Sequence, residues 1–97
     1  MALEIIWTKR AINGYDNIIK YLEENWTERE VRNFVKETTK FFELLVLFPE
    51  ILEKSSRQKN TYRGPMDKHS IITYRVKSRN KQIQILNIRS AKRKPLK

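Results

Sequence analysis

The basic side chains in the second half of the chain are the residues best suited to chemistry on a ligand. Residues 54–97 contain fourteen Lys and Arg and one acidic residue, whereas residues 1–53 contain seven basic and ten acidic residues. The two segments carry formal charges of +13 and −3. Such an uneven field attracts phosphate groups, although a solvated basic face without a dedicated ligand is the alternative. The candidate residues for binding a target or a nucleic acid are Lys54, Arg57, Lys59, Arg63, Arg75, Arg89, Lys92 and Arg93.

Few side chains are available for acid–base or metal chemistry. The chain has no cysteine and a single histidine, His69, which excludes thiolate catalysis and leaves too few ligands for a cysteine or histidine metal cluster. We therefore expect no metal and no cofactor. An imidazole can transfer protons near neutral pH, but a lone histidine at the start of a strand is more often a hydrogen-bonding residue. The candidates for catalysis are Arg63, His69, Arg89 and Arg93.

The roles of two tyrosines and three arginines depend on strand geometry. Tyr62 and Tyr74 either stack on a nucleobase from an open sheet face or pack in the core. The arginines, Arg63, Arg75 and Arg89, lie on or at the ends of adjacent predicted strands. They converge only if the alternation of side chains along each strand places them on one face.

The first half of the chain predicts one strand followed by two amphipathic helices. The run Leu3–Trp7 is β-prone, and Thr8 is a suitable N-cap for a helix whose apolar positions recur every 3.6 residues. A capping box, Thr27 with Glu30, predicts the start of a second helix, which ends before Pro49. The residues predicted to be buried are Trp7, Ile18, Leu22, Phe34, Phe41 and Leu45, and packing roles are also expected for Tyr15, Tyr21 and Trp26.

The second half predicts a polar loop followed by three antiparallel strands. Residues 54–60 are polar, and β-rich runs follow at Thr61–Arg63, Ser70–Val76 and Gln82–Ile88. The element order is β-α-α-β-β-β, an α+β fold in which a helical hairpin packs on one face of a twisted, mainly antiparallel sheet. Residues 1–97 form a single domain, and residues 92–97 are either a mobile basic tail or part of the target site.

The last predicted strand has apolar residues on both of its faces. Ile83 and Ile85 share one parity, whereas Leu86 and Ile88 fall on the other. Two explanations fit this pattern. A β-bulge shifts the register within the strand, or a partner covers the second face of the sheet.

No membrane segment is expected from the sequence. The apolar runs all fall short of the roughly 20 residues that span a bilayer. The first residues, MALEIIWTKR, also lack the basic region and long apolar stretch of a signal peptide. These features predict a cytoplasmic protein without a membrane partner.

Several short sequence features, none of them specific alone, occur together at a characteristic spacing. They are Ile5–Trp7 leading to Ala11, Ile18–Leu22 with Trp26, Phe34–Leu45 with Pro49, Ile71–Val76, Ile83–Leu86 and Arg93–Pro95. With this spacing in a short, basic chain free of cysteine, the sequence resembles the RelE/ParE toxin superfamily over nearly its whole length.

The resemblance implies a growth-inhibiting toxin of a type II toxin–antitoxin system, of the plasmid-stabilisation kind, acting in the cytoplasm. It implies a cognate acidic antitoxin that wraps and neutralises the toxin and can form an oligomer with it. It also implies that the concave sheet face and the C-terminal segment carry the activity. On the last strand, Leu86 and Ile88 are the residues expected to contact the antitoxin.

The residues depart from one branch of this superfamily. Members that resemble RelE cleave mRNA in the ribosome and typically carry an Arg three residues before a Tyr on the third strand. Here Ile71 takes that position before Tyr74, and the usual C-terminal aromatic residue is missing. Because an aliphatic side chain cannot stabilise charge on a phosphate, the ribonuclease site is incomplete. The sequence therefore does not decide whether the chain is an enzyme.

The ParE branch, which resembles an inhibitor of DNA gyrase, fits the third strand better. In that branch, a His or an aliphatic residue commonly precedes a Tyr-Arg pair on this strand, as in residues His69–Arg75 here. We therefore favour gyrase with DNA as the target, and keep a RelE-like, ribosome-dependent mRNA endoribonuclease as the alternative. A plain nucleic-acid-binding module is the third possibility, although the sequence has no RNP signature, helix-turn-helix pattern or Gly-rich phosphate loop.

Overall fold

Two helices pack on one face of a five-stranded mixed sheet. The structure is a computed structural model, and it describes residues 3–91. The strands are β1 (Glu4–Trp7), β2 (Glu53–Lys54), β3 (Thr61–Asp67), β4 (Ser70–Lys77) and β5 (Gln82–Ser90), and the helices are α1 (Lys9–Asn25) and α2 (Glu28–Leu47). A short 3-10 turn, Ser78–Asn80, joins β4 to β5. The predicted α+β architecture is confirmed.

Both helices begin at the threonines that the sequence marks as N-caps. The Thr8 hydroxyl accepts a hydrogen bond from the Ala11 amide at 3.1 Å and donates one to the Ile85 carbonyl at 2.7 Å. Thr27 accepts from the Glu30 amide at 3.3 Å. The first cap therefore both starts α1 and ties it to β5, because one hydroxyl can accept and donate at once.

The sheet has the strand order β1-β5-β4-β3-β2. The predicted antiparallel meander corresponds to β3, β4 and β5, and β1 runs parallel to β5 at one edge. The second edge is β2, which lies in and beside the segment predicted to be a polar loop. A strand of two residues is too short to produce a periodic pattern, so the sequence does not reveal it.

The core lies between the helices and the covered face of the sheet. Of the six residues predicted to be buried, five are confirmed, with exposed fractions from 0% to 8%: Ile18, Leu22, Phe34, Phe41 and Leu45. Trp7 is only half-buried because β1 is an edge strand, although its ring contacts Tyr15 and Phe42. Tyr21 and Trp26 are 37% and 46% exposed, so they do not pack in the core as the sequence suggested but lie at the surface.

A β-bulge explains the two-sided apolar pattern of β5. Thr73 pairs with Asn87 while the next residue, Tyr74, pairs with Ile85, which leaves one residue of β5 without a partner position. The alternation therefore resets, and Ile83, Ile85 and Ile88 all face the helices with at most 1% exposed. The prediction that Ile88 contacts an antitoxin needs correction, because a partner cannot reach its side chain without displacing α1.

Helix α1 approaches β5 closely at one glycine. A Cβ atom placed on Gly14 would come within 1.8 Å of the Ile88 carbonyl oxygen. Only a residue without a side chain allows this contact between a helix and a strand backbone. In residues 3–91, no helix is both long enough and apolar enough to cross a membrane.

Candidate nucleic-acid interface

Three arginines share the sheet face that the helices leave open. Each directly follows a core residue in its strand: Arg63 follows Tyr62, Arg75 follows Tyr74, and Arg89 follows Ile88. Because successive side chains of a strand point to opposite faces, all three arginines lie on the open face. Arg63 and Arg89 are exposed and lie on β3 and β5, two strands that are about 10 Å apart across β4 at a spacing of ~4.8 Å per strand. They are offset along the strands, because Arg63 pairs with Thr73 and Arg89 with Ile71.

A depression at the β2 and β3 edge of this face gathers several of the predicted cations. It encloses about 610 Å³ and is open to solvent. Its lining residues are Glu53, Lys54, Ser55, Ser56, Arg57, Arg63, Gly64, Pro65, Ile71 and Ala91. The depression combines three cationic side chains and one carboxylate on its rim with an apolar floor.

Backbone pairing and one serine position the cations of the depression. Glu53 lies opposite Arg63 in the β2–β3 register, and the Ser55 amide donates to the Thr61 carbonyl at 2.7 Å. The Ser55 hydroxyl accepts from the amides of Arg57 and Gln58, both at 3.1 Å. This local turn fixes the backbone of Arg57 beside the end of β2, as serine side chains commonly do.

Ile71 lies on the floor of the depression, directly opposite Arg89 in the β4–β5 register and opposite Pro65 in the β3–β4 register. It is the position at which the resemblance to RelE implies a phosphate-binding arginine. An isoleucine there supplies apolar surface and no charge, so among residues 3–91 the cations at this part of the face come from the neighbouring strands and from the turn after β2.

The two tyrosines of the central strands are core residues. Tyr62 and Tyr74 are 6% and 0% exposed, and their rings stack at a centroid distance of 5.3 Å. The Tyr74 hydroxyl donates to the Pro49 carbonyl at 2.8 Å. Burial raises the pKa of Tyr62 and raises the pKa of Tyr74 to about 12. Of the two roles considered for these tyrosines, packing is confirmed, and neither is available to stack on a nucleobase from the open face.

His69 lies on the helix side of the sheet rather than on the open face. Its Nε2 atom is 3.0 Å from Oε2 of Glu30 on α2, and its ring centroid lies 5.8 Å from that of Trp26, with the two rings in a T-shaped arrangement. Hydrogen bonding to His69 is the main cause of a lowered pKa for Glu30, with further contributions from Lys68, whose Nζ atom is 3.3 Å away. We call Glu30, Lys68 and His69, together with the Trp26 ring, the His69 junction. Its residues Glu30, Lys68 and His69 line a separate depression of about 480 Å³.

The remaining predicted binding residues are spread around the open face. Arg75 lies on that face, with Nε 3.4 Å from the Thr61 hydroxyl. Lys59 is exposed in the turn between β2 and β3 and does not line the depression. Leu86, at the bulge of β5, is half-buried. The predictions for Lys92 and Arg93 fall outside the described residues.

Two features of the depression were missed by sequence reasoning. Glu53 was not recognised as part of a basic site, because it belongs by sequence to the acidic half and reaches Arg63 only through strand pairing. Ser55 and Ser56 carry no sequence signal beyond polarity. Among the residues that the structure describes, no group of three or more His, Asp or Glu side chains is placed to hold a metal ion.

A protein-family model described as the ParE toxin of type II toxin–antitoxin systems, parDE, matches residues 5–95 of this chain. No curated protein sequence is similar enough to match it.

Solved structures of toxin–antitoxin systems share the fold. A chain of the chromosomal ParDE system from P. aeruginosa is similar with a TM-score of 0.74 and 18% identity, over 94% of this chain and 98% of that one. The isolated E. coli RelE toxin gives a TM-score of 0.62 at 16% identity, covering 96% and 88%. A chain of the RelBE2 toxin–antitoxin complex from Mycobacterium tuberculosis gives 0.61 at 16%, covering 93% and 99%.

Proposed function

The chain belongs to the ParE toxin family of type II toxin–antitoxin systems, and from this premise we propose that it inhibits growth by acting on DNA gyrase together with DNA. The contact surface in this proposal is the open sheet face, and the site of action is the cytoplasm. A cognate acidic antitoxin neutralises the toxin by covering the same face.

The observation that carries this proposal is an open face rich in cations but poor in groups that transfer protons. Cleavage of a phosphodiester bond needs a proton acceptor and a proton donor. His69 lies on the helix side, and Tyr62 and Tyr74 are buried. Glu53 offers an acceptor, but the other ionisable groups that line the depression are Lys and Arg, which are weak acids. Such a face is suited to binding anionic surfaces without cleaving them.

The proposed antitoxin contact follows from the same charge distribution. The open face carries Arg63, Arg75 and Arg89, and beside them lies the half-buried Leu86 at the bulge of β5. An acidic segment with an apolar side chain over Leu86 would bury apolar surface and pair charges at once. The structures of ParDE and RelBE systems contain toxins of the same fold, which supports a cognate partner for this chain.

Supercoiling of DNA by purified gyrase, measured with increasing amounts of toxin, tests the proposed target. We expect inhibition that is relieved by the antitoxin, and a toxin–antitoxin association that slows as salt rises. Charge reversal at Arg75 or Arg89 should weaken inhibition more than removal of His69 does, because binding a DNA–enzyme assembly needs cationic contacts. We expect the same of Arg93. Unaffected supercoiling would contradict the proposal.

A RelE-like, ribosome-dependent ribonuclease is the second candidate, and one observation favours it. Lys54 and Arg63 line one depression whose floor residue, Ile71, pairs with Arg89, so several cations surround one position at which a phosphate can bind. Glu53 on the rim would then act as the general base. Primer extension on a message under translation distinguishes the two candidates. Sharp cuts in the presence of toxin, absent with Glu53→Gln, would favour cleavage.

A further inference from the structure

The depression between β2 and β3 has the charge expected of a site for a phosphate ester. Its lining residues include three cations, Lys54, Arg57 and Arg63, and one carboxylate, Glu53, so the formal charge of the lining is +2. Arg63 lies opposite Glu53, whereas Lys54 pairs with Tyr62 and so starts from the other side of β2. A guanidinium group can donate two parallel hydrogen bonds to phosphate oxygens, and an ammonium group acts as a point charge beside it. Both arginines come from backbone segments fixed by hydrogen bonds, one by the Ser55 turn and one by the β2–β3 ladder.

The floor of the same depression has a different chemical character. Pro65 and Ile71 lie opposite each other in the β3–β4 register and present adjoining apolar surfaces. A floor of this kind fits the flat face of a ring, since nucleobases removed from a helix are held by aromatic and apolar side chains. The Ser56 hydroxyl on the rim can donate and accept hydrogen bonds at polar ring edges or sugar hydroxyls, and the Ser55 hydroxyl, which already accepts from two backbone amides, can donate one.

The volume of the depression limits the size of the ligand that it can bind. A volume of about 610 Å³ falls within the roughly 300–1,000 Å³ of small-molecule sites, which suffices for one nucleotide. Because the depression is open to solvent, a polynucleotide chain can enter and leave it. A base that remains stacked and paired inside a duplex cannot reach the floor, so the shape favours a single strand.

We propose that the depression lined by Lys54, Arg57, Arg63, Pro65 and Ile71 binds one nucleotide unit of a single-stranded nucleic acid. The phosphate lies beside the guanidinium groups of Arg57 and Arg63, and the base lies against Pro65 and Ile71. This inference rests on the proposed function, because it names the ligand that the open face takes from a complex of DNA with its enzyme. Glu53 limits the affinity of the site for anions by partly cancelling its charge.

Titration of the purified full-length chain, followed by NMR chemical shifts, tests the site without gyrase. The ligands are a nucleoside 5′-monophosphate, the unphosphorylated nucleoside, inorganic phosphate and an acidic tetrapeptide. The monophosphate should bind about tenfold more tightly than inorganic phosphate, because the base adds contact with the floor. Equal affinity for these two ligands, or tighter binding of the peptide, would overturn the nucleotide assignment.

Three variants locate the binding. Arg63→Gln should weaken the monophosphate about tenfold through loss of charge-assisted hydrogen bonds. Glu53→Gln should tighten it about two- to threefold. Lys20→Gln is the matched control, since Lys20 is an exposed cation of α1 in a different depression, and it should change affinity by less than about twofold. Equal losses from Arg63→Gln and Lys20→Gln would indicate general charge attraction and overturn the site.

Short oligonucleotides test whether the site prefers single strands. Comparison with the supercoiling assay then distinguishes failure of this inference from failure of the gyrase proposal. Single-stranded tetranucleotides of DNA and of RNA should each bind more tightly than a duplex of the same sequence, and their ratio shows which sugar the site prefers. Binding of a duplex as tight as that of the single strands would contradict the inference. If supercoiling is inhibited but the monophosphate does not bind, the inference fails while the gyrase proposal stands. Nucleotide binding without inhibition of gyrase would support the nucleotide site and contradict the gyrase proposal.

Discussion

The open sheet face and the His69 junction both concentrate charged side chains. At the junction the opposite charges are paired with each other, whereas on the open face cations are in excess. At the junction, Glu30 pairs with His69 at 3.0 Å and with Lys68 at 3.3 Å, and the rings of Trp26 and Phe34 back the imidazole. The His69 and Glu30 side chains are only 12% and 16% exposed. Its charges are satisfied within the fold, which is typical of a structural contact.

On the open face, cations outnumber carboxylates and remain exposed. Arg63 and Arg89 are exposed on strands either side of β4, and the depression beside them has three cations for one carboxylate. The fold gains little from such an excess, because exposed charges interact weakly with each other in water. The difference supports the proposal that this face binds an external anionic partner, and the proposal that His69 serves stability.

Strand β5 connects the open face with the His69 junction. We therefore expect the largest loss of stability from a change at the point where helix α1 holds β5 in place. Its end is tied to the junction by the Ala91 amide, which donates to the His69 carbonyl at 2.9 Å, and it carries Arg89 outward. Gly14→Ala would force a Cβ into the Ile88 carbonyl, and overpacking of this kind costs about 3 kcal/mol of unfolding free energy. Urea denaturation measures the loss.

The matched control for Gly14 is Asn17→Ala, at an exposed position of the same helix. It should change the unfolding free energy by less than about 0.5 kcal/mol. If Gly14→Ala is as mild as this control, α1 does not hold β5 by close backbone contact, and the two regions are not linked as described.

The next largest expected effect is a loss of growth inhibition without a loss of stability. Reversing both exposed arginines, Arg63→Glu with Arg89→Glu, should reduce growth inhibition about a hundredfold or more, because each removed cationic contact is worth about 1.5–3 kcal/mol. The unfolding free energy should change by less than about 1 kcal/mol, since both side chains are exposed. Growth after graded induction and urea denaturation are the two measurements. Full toxicity of the double variant would place the active surface elsewhere.

Changes at the His69 junction should show the opposite pattern. His69→Ala removes a mostly buried ring and its hydrogen bond to Glu30, so it should lower the unfolding free energy by about 1–2 kcal/mol. Inhibition per folded molecule should be retained. Lys68→Ala is the control, because Lys68 is 75% exposed and its loss should destabilise the fold less than His69→Ala does. Loss of inhibition by folded His69→Ala would identify a catalytic histidine.

The smallest effect is a pH dependence of stability carried by Glu30. Its pKa in the folded chain is lowered from 4.5, first by the hydrogen bond from His69. A carboxyl with a lowered folded pKa stabilises the fold fully above its unfolded pKa, and this stabilisation is lost as pH falls through the folded value. The advantage of wild type over Glu30→Gln should therefore shrink as pH falls below about 4.5. A constant difference down to pH ~3 would contradict the role given to this pair.

Local signals in the sequence predict most of the fold. Thr8, Thr27 and Pro49 mark helix ends because capping and the restriction before proline act within a few residues. The faces of the arginines were left open, because Arg63 and Arg75 follow tyrosines for which the sequence allowed two roles, and burial of those tyrosines decides the question. Arg89 lies on the open face only because the bulge resets the alternation along β5.

What the sequence does not predict depends on contacts between distant segments. The bulge at Leu86 exists only relative to its partner strand β4, so the single-strand pattern allowed two explanations. Gly14 carries no local sign that it meets Ile88, and Glu53 joins a basic site only because two-residue β2 pairs with β3. The target itself is chosen by surface chemistry that helix and strand patterns do not encode.

The central claim is that the open face binds its target and the histidine does not act on it. Gyrase supercoiling assays with Arg89→Gln and His69→Ala, compared at equal concentrations of folded toxin, test this most directly. We expect Arg89→Gln to raise the toxin concentration for half inhibition about tenfold or more, while His69→Ala leaves it within about twofold. Loss of inhibition with His69→Ala and full inhibition with Arg89→Gln would contradict this claim.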